Sequence, residues 1–141
     1  MINPKPVGAM TPKDALLMYP SMDLDRWLFL RVLDGPEDFP GSMPRLSQNY
    51  GESQPLMLQT LMTSGAVTID IGPEYFEEAI AASQIHRKTP GPLWKMTSGD
   101  FVGYGRCFAE AIAKLSICRV YGLKDPRKTF QSPPGPGNPA A

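Results

Sequence analysis

Ala66-Val67-Thr68-Ile69-Asp70-Ile71 is the stretch on which the fold turns. Val67, Ile69 and Ile71 alternate with Thr68 and Asp70, the two-residue period that sends successive side chains to opposite faces of a pleated strand. One apolar and one polar face predict a strand with a wet side, or one near a sheet edge. A lone strand cannot bury its inner face, so it needs partners. Leu93-Trp94-Lys95-Met96 and Asp100-Phe101-Val102-Gly103-Tyr104-Gly105, joined through Thr97-Ser98-Gly99, supply two of them. Residues 80–85 offer a fourth strand. Against that, Pro73, the early Glu74, Glu77 and Glu78, and the alanines at 79, 81 and 82 favour a helix, and both readings stay open here.

Helices are expected around this sheet. Thr11-Pro12-Lys13-Asp14 starts one over residues 12–19, ended by Pro20. Asp23 is expected to cap a second, residues 24–33, with Leu24, Trp27, Leu28 and Leu30 inward and Asp25, Arg26 and Arg31 wet. Asp34-Gly35-Pro36 stops it, and a long loop follows to Glu52. Ser53 is expected to cap a helix over residues 54–63 with Leu58, Leu61 and Met62 as its inward stripe. In the closing helix, residues 109–121, Ile112, Ala113, Ser116, Ile117 and Val120 recur at helical spacing before Gly122. That stripe is expected to cover Val67, Ile69 and Ile71. The fold class is therefore α+β: an antiparallel sheet of three to four strands layered with helices, an α/β/α-like sandwich.

At 141 residues and 42% hydrophobic composition there is enough for one core. An N-terminal arm (1–10), a single domain (11–124) and a disordered tail (125–141) are expected, the last because residues 124–141 hold five prolines, two glycines and one large apolar residue, Phe130. No run is apolar enough for a membrane span, and Met1-Ile2-Asn3-Pro4-Lys5-Pro6 lacks the layout of a secretory signal, so a cytoplasmic protein is expected. Cys107 and Cys118 read as reduced thiols, and one histidine without a Cys/Asp/Glu grouping predicts neither metal nor cofactor. The net charge of zero hides a division. Residues 1–85 carry 5 Lys/Arg against 11 Asp/Glu (−6), and residues 86–141 carry 9 against 3 (+6). The two parts can attract each other within the fold or between subunits, so a homo-oligomer is plausible, or the basic part can offer an anion-binding surface.

The stretch Gly103-Tyr104-Gly105-Arg106-Cys107-Phe108-Ala109-Glu110-Ala111-Ile112-Ala113-Lys114-Leu115-Ser116-Ile117-Cys118-Arg119 resembles the ending of the phage ABA-sandwich domain family. Met22-Asp23-Leu24-Asp25-Arg26-Trp27-Leu28-Phe29-Leu30-Arg31-Val32-Leu33 is similar to its first helix, with residues 44–50 in place of the proline-containing loop that follows. Residues 72–89 and the Pro-rich tail depart from the pattern. The resemblance implies a small phage or prophage accessory protein acting in the host cytoplasm, with helices on an antiparallel sheet and no catalytic residues to carry over. A counter-defence role is one form of this.

Among candidate groupings, Gly103, Tyr104, Gly105 and Arg106 stand before a helix, where backbone N–H groups and a guanidinium can hold a phosphate. The same glycines equally allow close packing of a strand. His86, Arg87 and Lys88, with Trp94 and Lys95, join positive charge to an aromatic face, as a base or single strand would require; a solvated loop and a core tryptophan are the plainer reading. Glu74, Glu77 and Glu78 read as a wet helix face, and Ser47 and Ser98 lack a histidine partner. Met57, Met62 and Met96 read as core fillers, while Met10, Met18, Met22 and Met43 could line an adaptable surface. The expected function is non-enzymatic: binding a host protein or sequestering a small anionic ligand, with nucleotide or nucleic-acid binding as the alternative.

Overall fold

The computed structural model describes residues 10–86 and 92–124. The arm at 1–9, Arg87 and Lys88, most of the turn at 89–92 and the tail from 125 lie outside the described residues. In chain order come α1 (Pro12–Leu17), α2 (Met22–Arg31), α3 (Gln54–Ser64), β1 (Thr68–Gly72), a 3-10 turn (Pro73–Tyr75) running into α4 (Phe76–Ala81), β2 (Leu93–Ser98), β3 (Phe101–Gly105) and α5 (Phe108–Tyr121). The described residues form a three-stranded antiparallel sheet in the order β1-β2-β3, as the alternating pattern requires. The open question at residues 73–85 resolves to a 3-10 turn and helix through Ala81, and residues 82–85 form no strand.

Register assigns side chains to faces, because directly opposed residues share one. Ile69 opposes Met96 and Met96 opposes Gly103; Ile71 opposes Trp94 and Trp94 opposes Gly105. On this front face α5 lies directly on β3. A Cβ at Gly103 would fall on Ala111 O and Leu115 N, and one at Gly105 on Ala111 N and Glu110 Cβ. The two glycines let helix and strand backbones meet without intervening side chains. The opposite face carries Asp70, Lys95 and Tyr104 in one row and is covered by α4, with Ala79, Ile85, Leu93, Val102 and Tyr104 forming a small second core.

Several local expectations are corrected. Ser21, not Asp23, caps α2: its Oγ accepts the Leu24 N–H at 3.2 Å, and the helix starts two residues early. Asp25 is buried instead of wet. Its carboxylate accepts Ser47 N–H (2.7 Å), Ser47 Oγ (2.6 Å) and Gln48 Nε2 (2.7 Å), which pins the long loop to α2. Ser53 makes no cap; its hydroxyl donates to Tyr50 O. In α3 the inward residues are Leu56 and Thr60, the latter with its Oγ 3.5 Å from Ser116 Oγ of α5, so Leu58, Leu61 and Met62 face outward. Met62 is consequently no core filler, whereas Met10, expected at an adaptable surface, is buried with its carbonyl taking Trp27 Nε1–H. Val67 packs against the main core, but α5 reaches only across β3 and β2, and Ile69 and Ile71 of the edge strand remain 44% and 53% exposed. In α5 the residues from Phe108 through Cys118 are buried all round, while Val120 is exposed.

Candidate functional site

The sheet has two edges, and they differ. Along the free side of β3 the Gln84 side chain takes the place of a strand: its Nε2–H donates to Val102 O and its Oε1 accepts Tyr104 N–H, both at 2.8 Å. Gln84 is delivered there by the end of α4. Ala82 closes the helix, Ser83 adopts the left-handed conformation (φ 58°), and Ser83 N–H and Gln84 N–H return to Ile80 O and Ala79 O. That is the paired-carbonyl helix ending usually built on glycine. Lys114 Nζ, from the buried face of α5, donates to Gln84 O and fixes it from behind.

Lys114 and Glu110 are both fully buried, one helical turn apart. Glu110 Oε2 lies 3.2 Å from Lys114 Nζ, a buried ion pair; Oε1 accepts Arg106 N–H at 2.8 Å and sits 3.6 Å from Arg106 Nε. Burial pulls the Lys114 ammonium below its ordinary 10.5, and the Glu110 charge opposes that shift. Glu110 thus occupies the N–H at the mouth of α5 that an anion at Gly105-Arg106 would need.

His86 and Arg106, from separate basic segments, meet on one ring. The Arg106 guanidinium carbon lies 4.9 Å from the centroid of Tyr19, and the His86 ring 5.4 Å from it on tilted planes. Trp94 and Lys95 do not join them as one surface, because neighbours on a strand point to opposite faces. Trp94 meets Phe108 edge-on at 6.1 Å on the front; Lys95 Nζ bonds Glu78 Oε1 at 2.8 Å on the back. Tyr104, buried, reaches the same Glu78 oxygen through its hydroxyl at 3.0 Å. Glu78 is therefore engaged, unlike the wet face expected of it. Beside this row Tyr75 OH donates to Asp70 Oδ2 at 2.7 Å, which pushes the phenol up to about 12.

Two surfaces absent from the sequence reading emerge. A cleft of about 460 Å³ opens between α1, β3 and the end of α5, with Lys13 and Lys124 on its lining, but the Gln84 amide in it is already committed to β3 and to Cys118 Sγ. The second surface is apolar. Pro55, Leu58, Leu61 and Met62 run along the outer side of α3, with Leu58 59% and Met62 78% exposed, and on β1, which follows α3 after residues 65–67, Ile69 and Ile71 are exposed as well. The spacing 55, 58, 62 was a visible signal of a helix stripe; which stripe packs inward depends on α5.

Among the described residues no grouping of His, Cys, Asp and Glu is suited to a metal ion, and no helix is long and apolar enough to cross a membrane. No protein-family model, no curated protein and no solved structure matches the chain.

Proposed function

We propose that this chain is a non-enzymatic binding protein that docks a protein partner through the outer side of α3 and the adjoining β1. The exposed strip of Leu58, Leu61, Met62, Ile69 and Ile71 is the observation that carries the reading. Exposed large apolar side chains at helical spacing along one side of a helix are the form an interface takes before its partner arrives. The resemblance of residues 103–119 to a phage family extends the proposal to an accessory protein that occupies a host protein. Immobilised wild-type protein and Leu58→Asp/Met62→Asp, exposed to the same host lysate, test it. The expected result is a protein retained by wild type and by Arg106→Ala but lost from the double variant, with circular dichroism unchanged; equal retention by all three contradicts it.

A second reading, an anionic nucleotide held at Tyr19, is favoured by the convergence of His86 and Arg106 on that ring. It requires a thermal shift with mixed nucleotides at low salt that Tyr19→Ala and Arg106→Ala both abolish.

A further inference from the structure

The backbone of β1 specifies what pairs with its open edge. Because Val102 O and Tyr104 N–H both bond Gln84, the alternate residues of β3, at 101, 103 and 105, turn their backbone groups toward β2. Alternation carried through the register then directs Leu93, Lys95 and Thr97 toward β1, and Thr68, Asp70 and Gly72 of β1 toward β2. The N–H and C=O groups of Ile69 and Ile71 are left facing outward. The Ile71 N–H faces outward and is held by its neighbour, Asp70 Oδ1, at 3.1 Å, a local bond that pairing with another strand exchanges for a partner carbonyl.

We infer that β1 pairs antiparallel with β1 of a second copy of this chain, about a two-fold axis through Ile69, giving a continuous six-stranded sheet. This rests on the reading of the α3/β1 strip as an interface and names the occupant of its strand portion. Among axes at the three residues 69–71, one register survives. An axis at Asp70 sets two carboxylates opposite each other. An axis at Ile71 opposes Ile69 to Pro73, which has no N–H to donate. An axis at Ile69 opposes Ile69 to the partner's Ile69, Ile71 to the partner's Val67, and Asp70 to the partner's Thr68. Apolar side chains then meet on one face and a hydroxyl meets a carboxylate on the other.

The two edges argue the same point. An unpaired edge bearing isoleucines invites pairing with another strand, and proteins ordinarily limit such edges with charges, prolines or cover. Among the described residues the β3 edge is closed by Gln84, while no strand pairs with the outer side of β1, which carries the exposed Ile69 and Ile71. The two-fold keeps both copies of α3 on the same face of the joined sheet, and the pairing consumes the outer side of β1 and closes the assembly at two copies.

Sedimentation equilibrium of the full chain over a hundredfold concentration range, for wild type, Ile69→Lys and Thr68→Lys, tests the inference. A wild-type dimer is expected, with at least tenfold weaker dimerisation in Ile69→Lys. Thr68→Lys, which places an ammonium opposite the partner's Asp70, is expected to retain the dimer. Circular dichroism and melting temperature show that each variant is folded. As an independent check, Ile69→Cys, against a wild-type control for Cys107, is expected to be joined to its twin by a short bis-thiol reagent. A monomer at every concentration, or a dimer unaffected by Ile69→Lys and not joined through residue 69, overturns the pairing. Loss of lysate capture by Leu58→Asp/Met62→Asp in a chain that stays monomeric would retain the docking reading and remove this one, whereas an Ile69-dependent dimer that captures nothing would do the reverse.

Discussion

Gln84 stands beside Tyr104 as a surrogate strand, its side-chain amide accepting the Tyr104 N–H at 2.8 Å while donating to Val102 two residues away. A primary amide has the donor and acceptor needed to bond a backbone at two points, so one side chain satisfies what a neighbouring strand otherwise would. Replacing it with alanine orphans a buried N–H and a buried C=O. Gln84→Ala is expected to lose about 2–4 kcal/mol by urea denaturation, from the usual cost of two unsatisfied groups. With the second edge now open, it is also expected to scatter light on concentration where wild type does not.

The glycines of β3 separate packing from ligand binding. A methyl at position 103 would collide with the backbone of α5 at Ala111 and Leu115, which cannot yield as a flexible side chain can. Gly103→Ala is expected to cost at least about 2 kcal/mol through displacement of α5. Gly99→Ala, at a left-handed turn (φ 61°) with open space around it, is expected to cost about 1 kcal/mol. Chemical denaturation of the two variants checks the order; a Gly103→Ala protein as stable as wild type contradicts the direct contact of helix and strand.

Lys114 is held inside by Glu110 and in turn holds Gln84 O. Removing the ammonium alone leaves a buried carboxylate with less compensation, so Lys114→Met is expected to destabilise by about 3 kcal/mol, and Glu110→Gln/Lys114→Met to recover part of that loss. The pH dependence has a definite sign. Since burial lowers the Lys114 value in the folded chain below 10.5, the unfolded chain binds more protons between the two values. The wild-type stability attributable to Lys114 therefore rises as pH climbs through that window toward 10.5, and is flat below it. Unfolding free energies of wild type and Lys114→Met, measured across the alkaline range, should converge on this pattern; a difference falling with pH over that window contradicts it.

Ser83 bears a left-handed backbone that costs a residue with a Cβ about 1 kcal/mol relative to glycine. Ser83→Gly is expected to raise the melting temperature by a few degrees while leaving Gln84 in place. A lowered melting temperature would mean that the serine side chain contributes more than its backbone costs.

The sheet was legible because alternation is a local signal: Val67 to Ile71 and the segments around Trp94 and Val102 announce strands without reference to the rest of the chain. The end of α5 was legible for the same reason. What α3 buries was not. It carries apolar residues on two sides, and the choice of Leu56 and Thr60 as inward is made by Ser116 on a helix more than fifty residues away. The role of Gln84 has no local signature either, since a single amide after an alanine run looks like any helix end. Glu110 and Lys114 did carry a signal, oppositely charged and four apart among apolar neighbours Ala111 to Ala113, as a buried ion pair requires. The basic segments were read correctly as basic, but chain proximity grouped Lys95 with Trp94, which the pleat sends to opposite faces, and missed Tyr19, which brings His86 and Arg106 together.

The difference between the two sheet edges is open to amide hydrogen exchange, read residue by residue at low and high protein concentration. Tyr104 N–H, bonded by Gln84, is expected to be protected at both, while Ile69 N–H exchanges freely when dilute and becomes protected as copies pair. Protection of Ile69 at the lowest concentration, or exchange of Tyr104 as fast as that of the 35–52 loop, would contradict a sheet closed on one side and open on the other.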